Sequence, residues 1–134
     1  MSLLSFQRHI RRACVVALLL VTLCQTSSLS LAQQPGKPYD QQLYRLSEIL
    51  GAVHYLRELC ASKDGQKWRD SMQVLIDAEG STAARKAKLT RQFNRGYRGY
   101  SRTYRSCTGQ AKKIIDRFIK ESIEITDELI KLAQ

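Results

Sequence analysis

The chain of 134 residues carries 22 Lys and Arg against 12 Asp and Glu, a formal net charge of +10 at pH 7, with two histidines and four cysteines. That length suits one domain with a single hydrophobic core. The cysteines and histidines form no CxxC, CxxCH or HxxxH pattern, which excludes a zinc-finger-type site and covalent haem.

The first twelve residues carry Arg8, Arg11 and Arg12 with no acid, and Ala13 to Leu23 is an apolar run too short for the ~20 residues of a membrane span. This is the pattern of a secretory signal peptide, and Ser30-Leu31-Ala32 places small residues where a signal peptidase cuts, giving a signal peptide over 1–32. Lipoprotein processing at Cys24 is disfavoured by the bulky Leu23 before it. The expected mature chain keeps 19 basic against 12 acidic residues, a net charge of +7 after loss of the three leader arginines. Its expected location is periplasmic, with no membrane span after cleavage. A basic surface asks for a polyanionic partner, but nucleic acid is out of reach of an exported protein. Cys60 and Cys107 remain as an even pair in an oxidising compartment, where a disulfide is the default. The loop it closes corresponds to about 4 kcal/mol in the chain-entropy model.

Residues 33–39, with Pro35-Gly36-Lys37-Pro38, read as a flexible linker, and 40–134 as one domain with helical periodicity throughout. A first helix is expected from about Asp40 to Ala61, with Leu43, Leu46, Ile49, Leu50, Val53, Leu56 and Cys60 on one arc. Ser62-Lys63-Asp64-Gly65 breaks it. A second runs from about Gln66 to Glu79, presenting Trp68, Met72, Leu75 and Ile76, before Gly80. Ser81 or Thr82 caps a third, from about Ala83 to Ser106. On its wheel Leu89, Phe93, Tyr97, Tyr100, Tyr104 and Cys107 form one stripe. Lys88, Arg91, Arg95, Arg98, Arg102 and Arg105 form another on the opposite face. Gly96 and Gly99 lie between the stripes and admit another backbone or a ligand. A fourth helix, from about Gln110 to Leu132, is expected to turn Ala111, Ile114, Ile115, Phe118, Ile119, Ile125, Leu129 and Leu132 inward. Short connections between four helices favour an all-α, four-helix, up-down-up-down bundle. A Cys60–Cys107 disulfide would staple it, since the first and third helices then end at the same pole.

The segments Arg45-Leu46-Ser47-Glu48-Ile49-Leu50-Gly51-Ala52-Val53-His54-Tyr55-Leu56-Arg57, Lys67-Trp68-Arg69-Asp70, and Phe93-Asn94-Arg95-Gly96-Tyr97-Arg98-Gly99-Tyr100 through Cys107 resemble a family of small exported bacterial proteins catalogued as a domain of unknown function. The resemblance covers about residues 39 to 118. It implies an envelope location and two paired cysteines, and brings no catalytic residues with it.

His54 stands without a nucleophile to serve, and Met72 at helical spacing reads as core, so neither an enzyme nor a cofactor is expected. What stands out is charge density: ten basic residues and no acid from Arg85 to Ile115. Exposed Arg91, Arg95, Arg102 and Arg105 are expected to form a basic surface. Glu48, Tyr55, Trp68, Asn94, Tyr97 and Arg98 are the expected ligand-binding cluster, offering rings for stacking and polar groups for orientation. The function that follows is a non-catalytic periplasmic module binding peptidoglycan, or another envelope glycan, in support of cell-wall growth. The alternative is a protein–protein adaptor that holds an acidic envelope protein in a growth or division complex.

Overall fold

In the computed structural model, residues 36–64 and 66–132 are described; the expected signal peptide at 1–32 lies outside them. Helix α1 (Asp40–Leu59) starts where the Asp40 carboxylate reaches back to accept from the Lys37 backbone N–H at 3.1 Å, and where its charge suits the helix N-terminus. It stops in a Schellman turn: the N–H groups of Ala61 and Ser62 donate to the carbonyls of Glu58 and Arg57, with Ala61 left-handed at φ 51°. The stop therefore comes at Ala61, ahead of the polar run the sequence pointed to. Helix α2 (Lys67–Glu79) closes on the Gly80 N–H, which donates to Ile76. Helix α3 (Ala83–Thr103) is capped by Thr82, whose hydroxyl accepts from the Arg85 N–H at 3.2 Å. Its last turn ends three residues before the expected Ser106, because Tyr104 is extended. Thr108 does for helix α4 (Gly109–Leu132) what Thr82 does for α3, accepting from the Ala111 N–H at 3.1 Å.

The protein is all-helical among the described residues, and α1 is its hub: it packs against each of the other three helices. Every residue from Ile49 to His54 is buried, so the middle of α1 is covered all round rather than along one arc. The core joins Leu43, Ile49, Val53 and Leu56 of α1 to Met72 of α2, Leu89 and Phe93 of α3, and Ile114, Ile115 and Phe118 of α4. Each such side chain contributes about 1.5–3 kcal/mol on burial. Ser47, also buried, has its hydroxyl satisfied by the Leu43 carbonyl.

The closest packing lies between α1 and α3. A Cβ placed on Gly51 would fall 1.9 Å from the carbonyl oxygen of Phe93, and one on Gly96 would fall 1.9 Å from that of Glu48. The two helices thus touch backbone to backbone, each filling the space the other's glycine leaves. Their partners climb together: Asp40 meets Arg85, Glu48 meets Arg95, Tyr55 meets Tyr97, and Cys60 is bonded to Cys107. Hence α1 and α3 run in the same direction, and the disulfide joins their C-terminal ends across 47 residues of sequence.

Candidate functional site: the basic face of α3 and the groove beside it

The glycine crossing decides which way α3 faces. With Gly96 and Phe93 pressed on α1, the residues about 200° away point to solvent, and Arg91, Arg95, Arg98 and Arg102 are all exposed, as is Arg105 beyond the helix end. Among the described residues Arg91, Arg98, Arg102 and Arg105 make no ion pair; Arg95 approaches Glu48 at 3.6 Å while its side chain stays 73% exposed. Arg85 does not belong to this surface. Its side chain is 11% exposed, 2.6 Å from Asp40 and 3.2 Å from Glu79, and its Nε donates to the Glu79 carbonyl at the end of α2. Burial works against its charge, but hydrogen bonding to Asp40, followed by the field of Asp40 and by Glu79, outweighs that and holds its pKa up.

The aromatic stripe faces the core only in part. Leu89 and Phe93 are buried, whereas Tyr97, Tyr100 and Tyr104 are half-buried at its edge and Cys107 is exposed. Tyr97 lies against His54 at 5.7 Å and edge-on to Tyr55 at 5.3 Å; Tyr100 meets Phe118 edge-on at 5.4 Å and stacks on Tyr104. Burial raises the Tyr100 phenol above its ordinary pKa. The Tyr55 hydroxyl donates to the carbonyl of extended Tyr104, latching the end of α3 to α1.

Among the described residues, grooves flank this framework. Between α1 and α3 a polar one of about 290 Å³ is lined by Gln41, Tyr44, Arg45 and Glu48 of α1 and by Lys88, Gln92 and Arg95 of α3. Between α2 and α3 lies one of about 250 Å³ that includes Arg69, Met72 and Asn94. The third, about 320 Å³, is largely apolar and runs between α2 and α4 over Leu46 and Leu50 of α1. In the first groove Arg45 is fixed by Glu121, with Nε 2.6 Å and Nη2 3.0 Å from its two oxygens. That hydrogen bond keeps Glu121 below the usual carboxylate range and Arg45 above its own ordinary value.

The six residues expected to bind ligand do not share one groove. Tyr55 and Tyr97 meet as a ring pair, and Glu48 lies in the first groove. Asn94 lines the second, and Arg98 is on the exposed face. Trp68 is half-buried and donates from Nε1 to Asp64 at 3.2 Å, a carboxylate that Arg57 also holds and whose pKa these hydrogen bonds lower, Arg57's first. Sequence reasoning passed over Gln41 and Gln92. The signal was present as spacing: Gln41, Tyr44 and Glu48 climb one flank of α1, and Lys88, Gln92 and Arg95 one flank of α3.

No group of three or more His, Cys, Asp or Glu among the described residues is placed to hold a metal ion, and no described helix is long and apolar enough to cross a membrane. The architecture defines a helical bundle with the Cys60–Cys107 disulfide and a segregated basic face. The chain belongs to the family described as "Protein of unknown function (DUF2385)", whose model matches residues 38–132. No curated protein and no solved structure matches the chain significantly.

Proposed function

We propose that this protein is exported through a cleaved signal peptide and works in the periplasm as a non-catalytic binding module for peptidoglycan, in support of cell-wall growth. The proposal takes the four helices in an up-down-up-down order, to which the shared direction of α1 and α3 lends support. One observation carries it: α3 has seven basic residues and no acid, and Arg91, Arg98 and Arg102 project from it without an ion pair among the described residues. Such a row repels itself, and a polymer bearing carboxylates relieves that cost. Peptidoglycan is an abundant envelope polymer that combines sugars with free carboxylates.

The test is retention on purified wall sacculi. Arg91→Glu with Arg98→Glu should leave melting unchanged and reduce retention at least fivefold, and wild-type retention should fall steeply with salt, because exposed charges are screened. Retention indifferent to both salt and charge reversal would sink the proposal. The adaptor alternative has its own support: Val74, which lines the apolar groove, is 69% exposed, and Ile123 of α4 is 56% exposed, the kind of surface that protein partners cover. Val74→Lys with Ile123→Lys should leave sacculus retention intact if the wall is the partner.

A further inference from the structure

The groove between α1 and α3 has a different chemistry from the open arginine row beside it. Arg45 is already committed to Glu121 through two hydrogen bonds. Lys88 holds its ammonium over the Tyr44 ring, 5.2 Å from the centroid, and among the described residues has no ion pair. Glu48 lies 3.6 Å from both Arg45 and Arg95, close enough for attraction but beyond hydrogen-bond reach, so its lone pairs are still available. The side-chain amides of Gln41 and Gln92 border the same space and make no internal hydrogen bond among the described residues. Three cations and one acid line the groove; with Arg45 neutralised by Glu121, one positive charge is left over.

That balance selects a ligand with one negative charge, a donor for Glu48, and amide groups for the two glutamines. A phosphate dianion meets Glu48 as a like charge, and a neutral sugar leaves Lys88 unanswered. We propose that this groove binds the free terminal carboxylate of a short peptide, which in the wall is the end of a peptidoglycan stem peptide. Lys88 and Arg95 take the carboxylate, Glu48 accepts from the last peptide N–H, and Gln41 and Gln92 pair with the preceding peptide group. The source of the peptide rests on the function proposed above; the recognition chemistry does not. A volume of about 290 Å³ suits the end of a chain rather than a folded partner.

The experiment is a titration of the disulfide-intact protein, followed by backbone amide shifts. The probes are N-acetyl-D-alanyl-D-alanine, its C-terminal amide, N-acetyl-L-alanyl-L-alanine and inorganic phosphate. The D,D-acid should shift the amides around Lys88, Gln92 and Glu48, and its amide should bind at least tenfold more weakly. Lys88→Met and Gln92→Ala should each weaken the D,D-acid at least fivefold with melting unchanged. Equal binding of acid and amide, shifts centred elsewhere, or phosphate binding more tightly than the peptide overturns the proposal. Tighter binding of the L,L-peptide overturns the wall source and assigns the groove to protein C-termini. Neither Lys88 nor Gln92 is altered in the sacculus test, so the two ideas fail separately. Peptide binding without sacculus retention removes the polymer reading alone, and retention without peptide binding removes the groove alone.

Discussion

Gly51, Gly96 and Gly99 share a side chain of one hydrogen and have two different standings. The first two are where α1 and α3 touch, and an added methyl at either meets a backbone carbonyl oxygen at 1.9 Å, which cannot rotate away. Gly51→Ala and Gly96→Ala should each cost at least about 3 kcal/mol in urea unfolding, the upper part of the range for overpacking. Gly99 has nothing within 4 Å of its would-be Cβ, so Gly99→Ala should stabilise by about 1 kcal/mol through helix propensity alone. Ala61 is the mirror case, a residue with a Cβ held at φ 51°, and Ala61→Gly should gain about 1 kcal/mol by relieving that strain. Equal effects at Gly96 and Gly99 would mean the backbone contact is not what holds the crossing. The sequence marked Gly96 and Gly99 alike as points of close approach. Only the rotation of α3 against α1 separates them, and rotation is a property of the pair.

At the scale of elements, the four helices were legible because each carries a 3.6-residue apolar repeat and a recognisable start or stop, and their ends agree with the sequence to within a few residues. Burial of α1 on all sides was less legible. Tyr44, Glu48 and Tyr55 fall on the flank of α1 away from its apolar arc, but a helix gripped by three neighbours has no free face along its middle, and its flanks become the walls of grooves. The fate of Arg85 was hidden for the same reason: it looked like one more charge in a basic run until Asp40 and Glu79 were brought beside it. Arg85→Met leaves a buried carboxylate unpaired and should cost about 3–5 kcal/mol, whereas exposed Lys86→Met should stay within about 0.5 kcal/mol. Addition of Asp40→Asn should recover part of the Arg85→Met loss, which a double-mutant cycle would measure. The Arg45–Glu121 pair ties α1 to α4 and carries a pH signature. The Arg45 hydrogen bond holds the folded pKa of Glu121 below the ordinary glutamate value of 4.5, so its contribution is present above that value and lost as pH falls through the lower folded one. The melting temperature should therefore drop as pH falls below about 4.5, and Glu121→Gln should start lower and follow a flatter profile there. A profile unchanged by the substitution would place the acid sensitivity elsewhere, at Asp64 for instance, whose carboxyl Arg57 also depresses.

For the whole molecule, the two poles of the α1–α3 pair are fastened in different ways. The Asp40–Arg85–Glu79 cluster binds the start of α1, the end of α2 and the start of α3 at one pole, and the disulfide binds the ends of α1 and α3 at the other. Charge is distributed just as unevenly: α3 holds seven bases and no acid, while α4 balances five of each. Helix α4 has one backbone neighbour, since it approaches α1 alone, and its C-terminal half leaves Ile123, Ile130 and Leu132 in water. Because unfolding free energies within a domain follow local packing, the fold should not open as a single unit. In native-state hydrogen exchange the amides of α4 should exchange together at a free energy several-fold below that of α1 and α3, exposing Phe118 and Ile114 while the glycine crossing stays shut. Removing the covalent tie at the base of α4, by Cys60→Ser or Cys107→Ser, should lower global stability by about 2–5 kcal/mol and bring the two exchange classes closer together. A hinged leaf on a rigid spine then describes the domain better than four equivalent staves, with the apolar groove between α2 and α4 lying along the leaf's free edge.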